Sequence, residues 1–197
     1  MDYMRERIRE YFPHTSSIEV MHSIQDKVAE QMFFCMPPKD VKYVAAVDCA
    51  YTDDLVVAGC VLMDAEDLEI VETSHSIEPF YMDYAPTLLS FREGFASAQA
   101  VVALEHKPDV LLVNGVGINH PRRAGLATHL GVCLEMPTIG ITKRPLCGTV
   151  DKEVSTINKN GQEWNYSRLF DGKEHTGYIV WRKGRSNITI APGHMIR

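Results

Sequence analysis

No stretch of this 197-residue chain stays apolar for anything near the roughly 18 residues of a membrane-spanning helix. The first residues, Met1-Asp2-Tyr3-Met4-Arg5-Glu6-Arg7, are charged and lack the apolar centre of a signal peptide. Cysteine is sparse and unpaired: the five sit singly at 35, 49, 60, 133 and 147, with no CxxC. That speaks against a disulfide framework or a zinc knuckle and for free thiols in a reducing cytoplasm. A basic surplus is missing too. The net charge of −6 weighs against a dedicated nucleic-acid-coating protein, though not against an enzyme with a local cationic patch. Arg122, Arg123, Lys143 and Arg144, followed by Arg182, Lys183 and Arg185, could supply one. What remains is ordinary: 45% hydrophobic, 23% charged and without repeats, enough for one domain with a sizeable core.

Periodicity divides the chain. Ile18, Met21, Ile24, Val28 and Met32 recur at spacings of three and four, which predicts a helix over 18–34, capped by Ser16 or Ser17 and stopped by Pro37-Pro38. Strand-like runs follow at 43–48, 56–63 and 68–73, separated by Asp-rich turns, as in a β-meander. Residues 86–107 predict a second helix between two prolines. After it come a strand at 109–114, a helix at 124–134, a strand at 138–142 and short strands at 178–181 and 188–190. Residues 150–175 are polar and show no clear period. This order gives a mixed sheet with helices packed on it, and the ribonuclease H-like architecture has it.

The chemistry concentrates in the middle. Four apolar residues, Val110 to Val113, end in Asn114-Gly115-Val116-Gly117-Ile118-Asn119-His120-Pro121-Arg122-Arg123. Two glycines that permit close approach, followed at once by a His and two Arg, suit a phosphate-handling site at the carboxyl end of a sheet strand. Asp48 ends the first strand and Glu93 lies inside the second helix. If strands one and four are neighbours, positions 48 and 114 converge. Carboxylates there would hold Mg²⁺ by one or two direct bonds, leaving its other positions to water and phosphate oxygens.

Seven ordered segments resemble the endonuclease V family: Val47-Asp48; Tyr84-Ala85-Pro86; Leu89-Ser90-Phe91-Arg92-Glu93; the 114–131 segment with His120-Pro121-Arg122-Arg123 and His129; Pro137-Thr138-Ile139-Gly140; Lys143-x-x-Leu146-x-Gly148; and Pro192-Gly193-His194. The resemblance implies one domain over 1–197 with a ribonuclease H-like α/β fold, a mixed sheet with helices on both faces, ending before the family's last C-terminal helix. It implies recognition of deoxyinosine in DNA, and of inosine in RNA in many members. It also implies Mg²⁺-dependent cleavage (Mn²⁺ as a substitute) of the second phosphodiester bond 3′ to the lesion. By resemblance Asp48 and Glu93 serve the metal, Lys143 the scissile phosphate or attacking water, and His194 stands near the metal. Tyr84 and Pro86 form a wedge beside the lesion, and Gly115 and His120 help form the pocket for an extruded base. Arg122 and Arg123 read as cations that position the nucleic-acid backbone or support the loop.

In two places the chain departs from the family pattern: it ends at Arg197, where the family usually continues into another helix, and it differs at position 114. The family's third carboxylate is Asp, and Asn114 stands there. The amide keeps one oxygen and loses a full charge, so metal affinity and water activation should both fall.

Each residue has a plainer reading. Asp48 could be a strand-end turn residue, Glu93 a solvated helix residue, and His120 and His129 satisfied core histidines. Tyr84 could be a packing aromatic and Lys143-Arg144 a charged loop. Their joint spacing argues for a nucleic-acid site. Cys147 with His175 or His194 carries no thiol-enzyme signature. Two readings stand beside the metal-dependent endonuclease: an inosine-recognising module that does not cut, and an unrelated ribonuclease H-like protein. A monomer is the simpler expectation, with no membrane partner.

Overall fold

The computed structural model describes residues 2–34 and 40–195. Two helices open the chain, α1 (Asp2–Tyr11) and α2 (Ile18–Gln31). A meander follows, β1 (Tyr43–Tyr51), β2 (Leu55–Asp64) and β3 (Ile70–Pro79). Then come α3 (Leu89–Val102), β4 (Val110–Val113), α4 (Leu126–Leu134) and β5 (Thr138–Thr142). The rest is strand: β6 (Thr149–Val150), β7 (Ser155–Lys159), β8 (Gln162–Asp171), β9 (Glu174–Trp181) and β10 (Ile188–Pro192).

All ten strands join one sheet in the order β3-β2-β1-β4-β5-β10-β9-β8-β6, with β7 on β8. The meander is antiparallel, whereas β4 pairs in parallel with both β1 and β5. The expected mixed, ribonuclease H-like sheet is therefore present. Its register sets the site. Val47 stands opposite Val113, so Asp48, which lies inside β1 and not at its end as expected, sits beside Asn114, the residue just past β4. The Asn114 N–H donates to Val47 O at 3.1 Å and locks that step.

Alternation decides which face is covered. Ala45 and Val47 of β1, Val56, Ala58, Cys60 and Leu62 of β2, and Leu111 and Val113 of β4 are buried in one cluster with α1, α3 and α4. Helix α2 adds Val28 to the same cluster and packs on α4. Among the described elements all four helices thus lie on one face, and not on both as expected. On the other face Ala46, Leu112 and Ile141 are half-buried and line a shallow groove.

Ser17 caps α2 by accepting from the Val20 N–H at 3.3 Å. That helix ends at Gln31; Pro37 and Pro38 lie outside the described residues. Helix α3 is shorter than 86–107, starting at Leu89 after a turn and stopping at Val102. Two elements were not expected. Helix α1 escaped notice because its mean polarity hides a narrow apolar edge: Ile8 and Tyr11, with Phe12 just beyond, are buried against the core. The polar 150–175 segment is a β-hairpin layer, with β7, β8 and β9 antiparallel. Their exposed residues break the apolar alternation on which a strand assignment depends.

Candidate active site

The cleft at the carboxyl end of β1 and β4 encloses about 360 Å³. Asp48, Tyr84, Pro86, Glu93, Asn114, Gly115 and His120 all line it, with Arg144 and Leu146 of the loop after β5. The structure thus gathers seven of the residues singled out from sequence.

Asp48 and Asn114 are both exposed at the sheet end, and the Asn114 amide nitrogen donates to Asp48 Oδ1 at 2.7 Å. The Cys49 N–H donates to the same oxygen at 2.8 Å, leaving Oδ2 without a partner among the described residues. Glu93 rises from α3 and is buried, and that burial, with Asp48 adding to it, pushes its carboxyl above the usual range. The Tyr51 hydroxyl donates to Glu93 Oε1 and works in the opposite direction. Tyr51 was not anticipated. It is the last residue of β1, and only the placement of α3 over that strand end brings it to Glu93. The neighbouring Arg92 is sandwiched between rings, 4.5 Å from Tyr51 and 4.2 Å from Phe80, and donates to Met82 O at 3.0 Å. This holds the 80–82 segment against α3.

His120 is buried, with both ring nitrogens engaged. Thr87 O can only accept, so Nε2 carries the proton at 3.0 Å; the Arg122 N–H can only donate, so Nδ1 accepts at 3.1 Å. The ring is held neutral, its pKa lowered by burial. It forms cleft wall and has no nitrogen left for a ligand. Tyr84 is the opposite case, 63% exposed at the rim.

The glycines serve a different purpose from the one expected. A Cβ on Gly117 would sit 2.1 Å from Pro192 O, and one on Gly140 would sit 2.4 Å from Gly115 O. The close approach is of protein backbone to protein backbone, fitting the 115–117 loop over β5 and β10. Gly115 itself does line the cleft.

The arginines are likewise engaged within the protein. Arg123, in the left-handed region at φ 57°, forms ion pairs with Asp171 and Glu174, each at 2.8 Å, and donates to His120 O at 3.0 Å. It ties the cleft loop to the β8–β9 turn. Arg122 pairs with Asp26 of α2 at 2.7 Å. Lys143 follows β5 directly, is exposed, and makes no ion pair among the described residues, while its neighbours Thr142 and Arg144 line the cleft.

His194 falls elsewhere. Its N–H donates to Thr138 Oγ1 at 2.9 Å, and its Nδ1 accepts from the Phe33 N–H at 3.2 Å. Thr138 begins β5, at the end remote from Thr142, and the charges that His194 senses are Arg7 and Glu135. Because β10 runs antiparallel to β5, the chain leaves Pro192 away from the cleft. The expected place beside a metal is not where this histidine lies. His129 is also structural: fully buried, stacked on Phe12 at 4.6 Å, with Nε2 donating to Tyr11 O at 2.8 Å.

A mixed sheet with β1 and β4 parallel at its centre, and with Asp48 and Asn114 side by side on those strands, has the ribonuclease H-like architecture. The family model "Endonuclease V" matches residues 23–197. Endonuclease V of Methanopyrus kandleri is 37% identical over 180 residues, covering 91% of this chain and 75% of that one. The crystal structure of endonuclease V from Streptomyces avermitilis aligns with a TM-score of 0.82 at 29% identity, over 93% of this chain and 80% of that one. The Ciona intestinalis enzyme, solved in complex with a 24mer DNA containing an inosine followed by a ribo-adenosine, shares the fold at a TM-score of 0.72 and 23% identity, over 91% of this chain and 84% of that one. The chain belongs to the endonuclease V family and is an endonuclease. Among the described residues no helix is long and apolar enough to cross a membrane.

Proposed function

We propose that the chain recognises inosine in nucleic acid and hydrolyses the second phosphodiester bond on its 3′ side with a bound divalent cation, Mg²⁺ or Mn²⁺. The observation that carries this reading is one cleft lined both by Asp48, Glu93 and Asn114 and by the exposed ring of Tyr84. The donor set is all oxygen, the kind hard divalent cations take. Asp48 Oδ2 has no partner among the described residues, and only Oε1 of Glu93 is taken, by Tyr51. These groups fit Mg²⁺ with one carboxylate fewer than the family pattern. When bound, the cation supplies charge to the phosphoryl oxygens and acidity to a coordinated water. Tyr84 stacks beside the lesion, and the cleft walls of Gly115 and His120 receive the displaced base. Lys143 donates to the reacting phosphate, where negative charge builds in the transition state.

One observation favours a second reading, a recognition module that does not cut. At 2.7 Å from Asp48 Oδ1 stands the Asn114 amide nitrogen, a donor where a metal site would need a second carboxylate. Cleavage of inosine-containing DNA and RNA by this chain and by Asn114→Asp, each with Mg²⁺ and with chelator, decides between them. Mg²⁺-dependent cutting by the parent chain, made faster in Asn114→Asp, supports the endonuclease reading. If neither protein cuts while inosine strands are still bound preferentially, the recognition module stands.

A further inference from the structure

A second cavity, of about 500 Å³, opens between α1, α3 and the β3 edge. Arg5 and Arg9 of α1, His75 of β3, and Phe95 and Gln99 of α3 line it. Arg5 and Arg9 are both exposed, and neither makes an ion pair among the described residues. At a spacing of i and i+4 they project from one side of α1. Arg7 of the same helix is engaged, donating to the carbonyls of Val132 and Cys133.

An aromatic bridge links this cavity to the cleft. His14 and Tyr81 stack with centroids 3.9 Å apart, and His14 meets Phe95 at 5.0 Å. Phe95 itself lines the cationic cavity. Tyr81 is 48% exposed and stands three residues before Tyr84 at the cleft rim. Tyr84, the Tyr81–His14 pair, Arg9 and Arg5 therefore follow one another along α3, away from Glu93. Aromatic faces followed by unpaired cations suit a single nucleic-acid strand: rings for bases and guanidinium groups for phosphates.

We infer that this strip is a track for the strand flanking the lesion, with Tyr81 stacking on a base and Arg9 and Arg5 holding phosphates. The inference rests on the reading of the cleft as a nucleic-acid site and extends its footprint. Glu93 to Val102 covers nine helical steps, about 14 Å. At a rise of about 3.4 Å per nucleotide along a strand, the track holds about four nucleotides beyond the cleft.

The test uses inosine-containing single strands of two kinds, one with long flanks on both sides and one trimmed to about two nucleotides on each side. Binding is followed by fluorescence anisotropy across a salt titration, for the parent chain, for Arg5→Ser/Arg9→Ser and for Tyr81→Ala. Losing two phosphate contacts should flatten the slope of log K against log salt on the long strand by about 1.4 and weaken binding at low salt. Tyr81→Ala should weaken long-strand binding roughly fivefold or more. The trimmed strand should bind all three proteins alike. If the double variant binds the long strand with the parent's affinity and slope, or loses as much on the trimmed strand as on the long one, the track is overturned while the cleft reading stands. A parent chain with no affinity for either strand overturns both.

Discussion

Replacing Asn114 by Asp tests the site through stability, independently of turnover. In the present chain the Asn114 amide donates to Asp48 Oδ1 at 2.7 Å. Asn114→Asp exchanges that donor for an acceptor and faces two carboxylates at the same separation. Two unit charges about 2.7 Å apart repel by about 1.5 kcal/mol in a water-like dielectric and about 6 kcal/mol at an effective value of 20. Both side chains are exposed, so the lower figure applies. With part of a hydrogen bond also lost, the cost without metal comes to about 2 kcal/mol. For a chain of this size that lowers the melting temperature by about 4–8 °C. A divalent cation reverses the sign, since the second carboxylate becomes a ligand. Occupancy at a hundred times Kd restores about 2.7 kcal/mol. The assay is thermal unfolding of both proteins with EDTA and with Mg²⁺ or Mn²⁺. Asn114→Asp should melt below the parent in EDTA and gain more than the parent from metal. If it melts at or above the parent in EDTA, or gains nothing extra from either cation, the argument from charge at this strand end is wrong.

His129 should make the fold acid-sensitive. Its burial lowers the ring pKa from 6.5 to about 3, so the unfolded chain binds the proton more readily; its contribution to stability is complete above pH 6.5 and is lost as pH falls toward 3. Between pH 7 and 5 that amounts to about 2 kcal/mol, and urea titrations should show a correspondingly smaller pH-dependent loss in His129→Gln. Arg123→Ala removes the ion pairs to Asp171 and Glu174 and should lower stability by about 1–2 kcal/mol while leaving the salt slope of nucleic-acid binding unchanged; a flattened slope would assign the guanidinium to phosphate instead. Lys143→Ala in the Asn114→Asp background should cut the single-turnover cleavage rate at least a hundredfold, about 2.7 kcal/mol or more, with little change in Kd. An intact rate with weaker binding would make Lys143 a simple phosphate anchor.

Much of the site was legible in one dimension because it is built from strand ends and a helix start. A buried apolar run such as Val110 to Val113 must stop where the chain turns polar, so Asn114 announced itself as a strand-tip group. Asp48 interrupts the apolar run of β1 but not the strand, which continues to Tyr51, and the broad apolar side of α3 carried Glu93 with it. The meander, the Ser17 cap and the 138–142 strand followed from periodicity and turn chemistry alone.

Tertiary structure decided what each group faces. His120 and His129 look alike in the sequence, yet one walls the cleft and the other is sealed in the core against Phe12 and Phe91. Gly117 announces close approach, but only the tertiary structure shows that the approaching group is the backbone of Pro192 at the end of β10. The partners of Arg123 lie about fifty residues away on a hairpin whose polar surface hid it from any period. His194 stands at the far end of β5 because β10 is antiparallel, a choice of direction that local residues do not encode. Local pattern fixes which residues are buried and where elements end. Strand order and direction, set by packing over the whole chain, fix which of those ends meet.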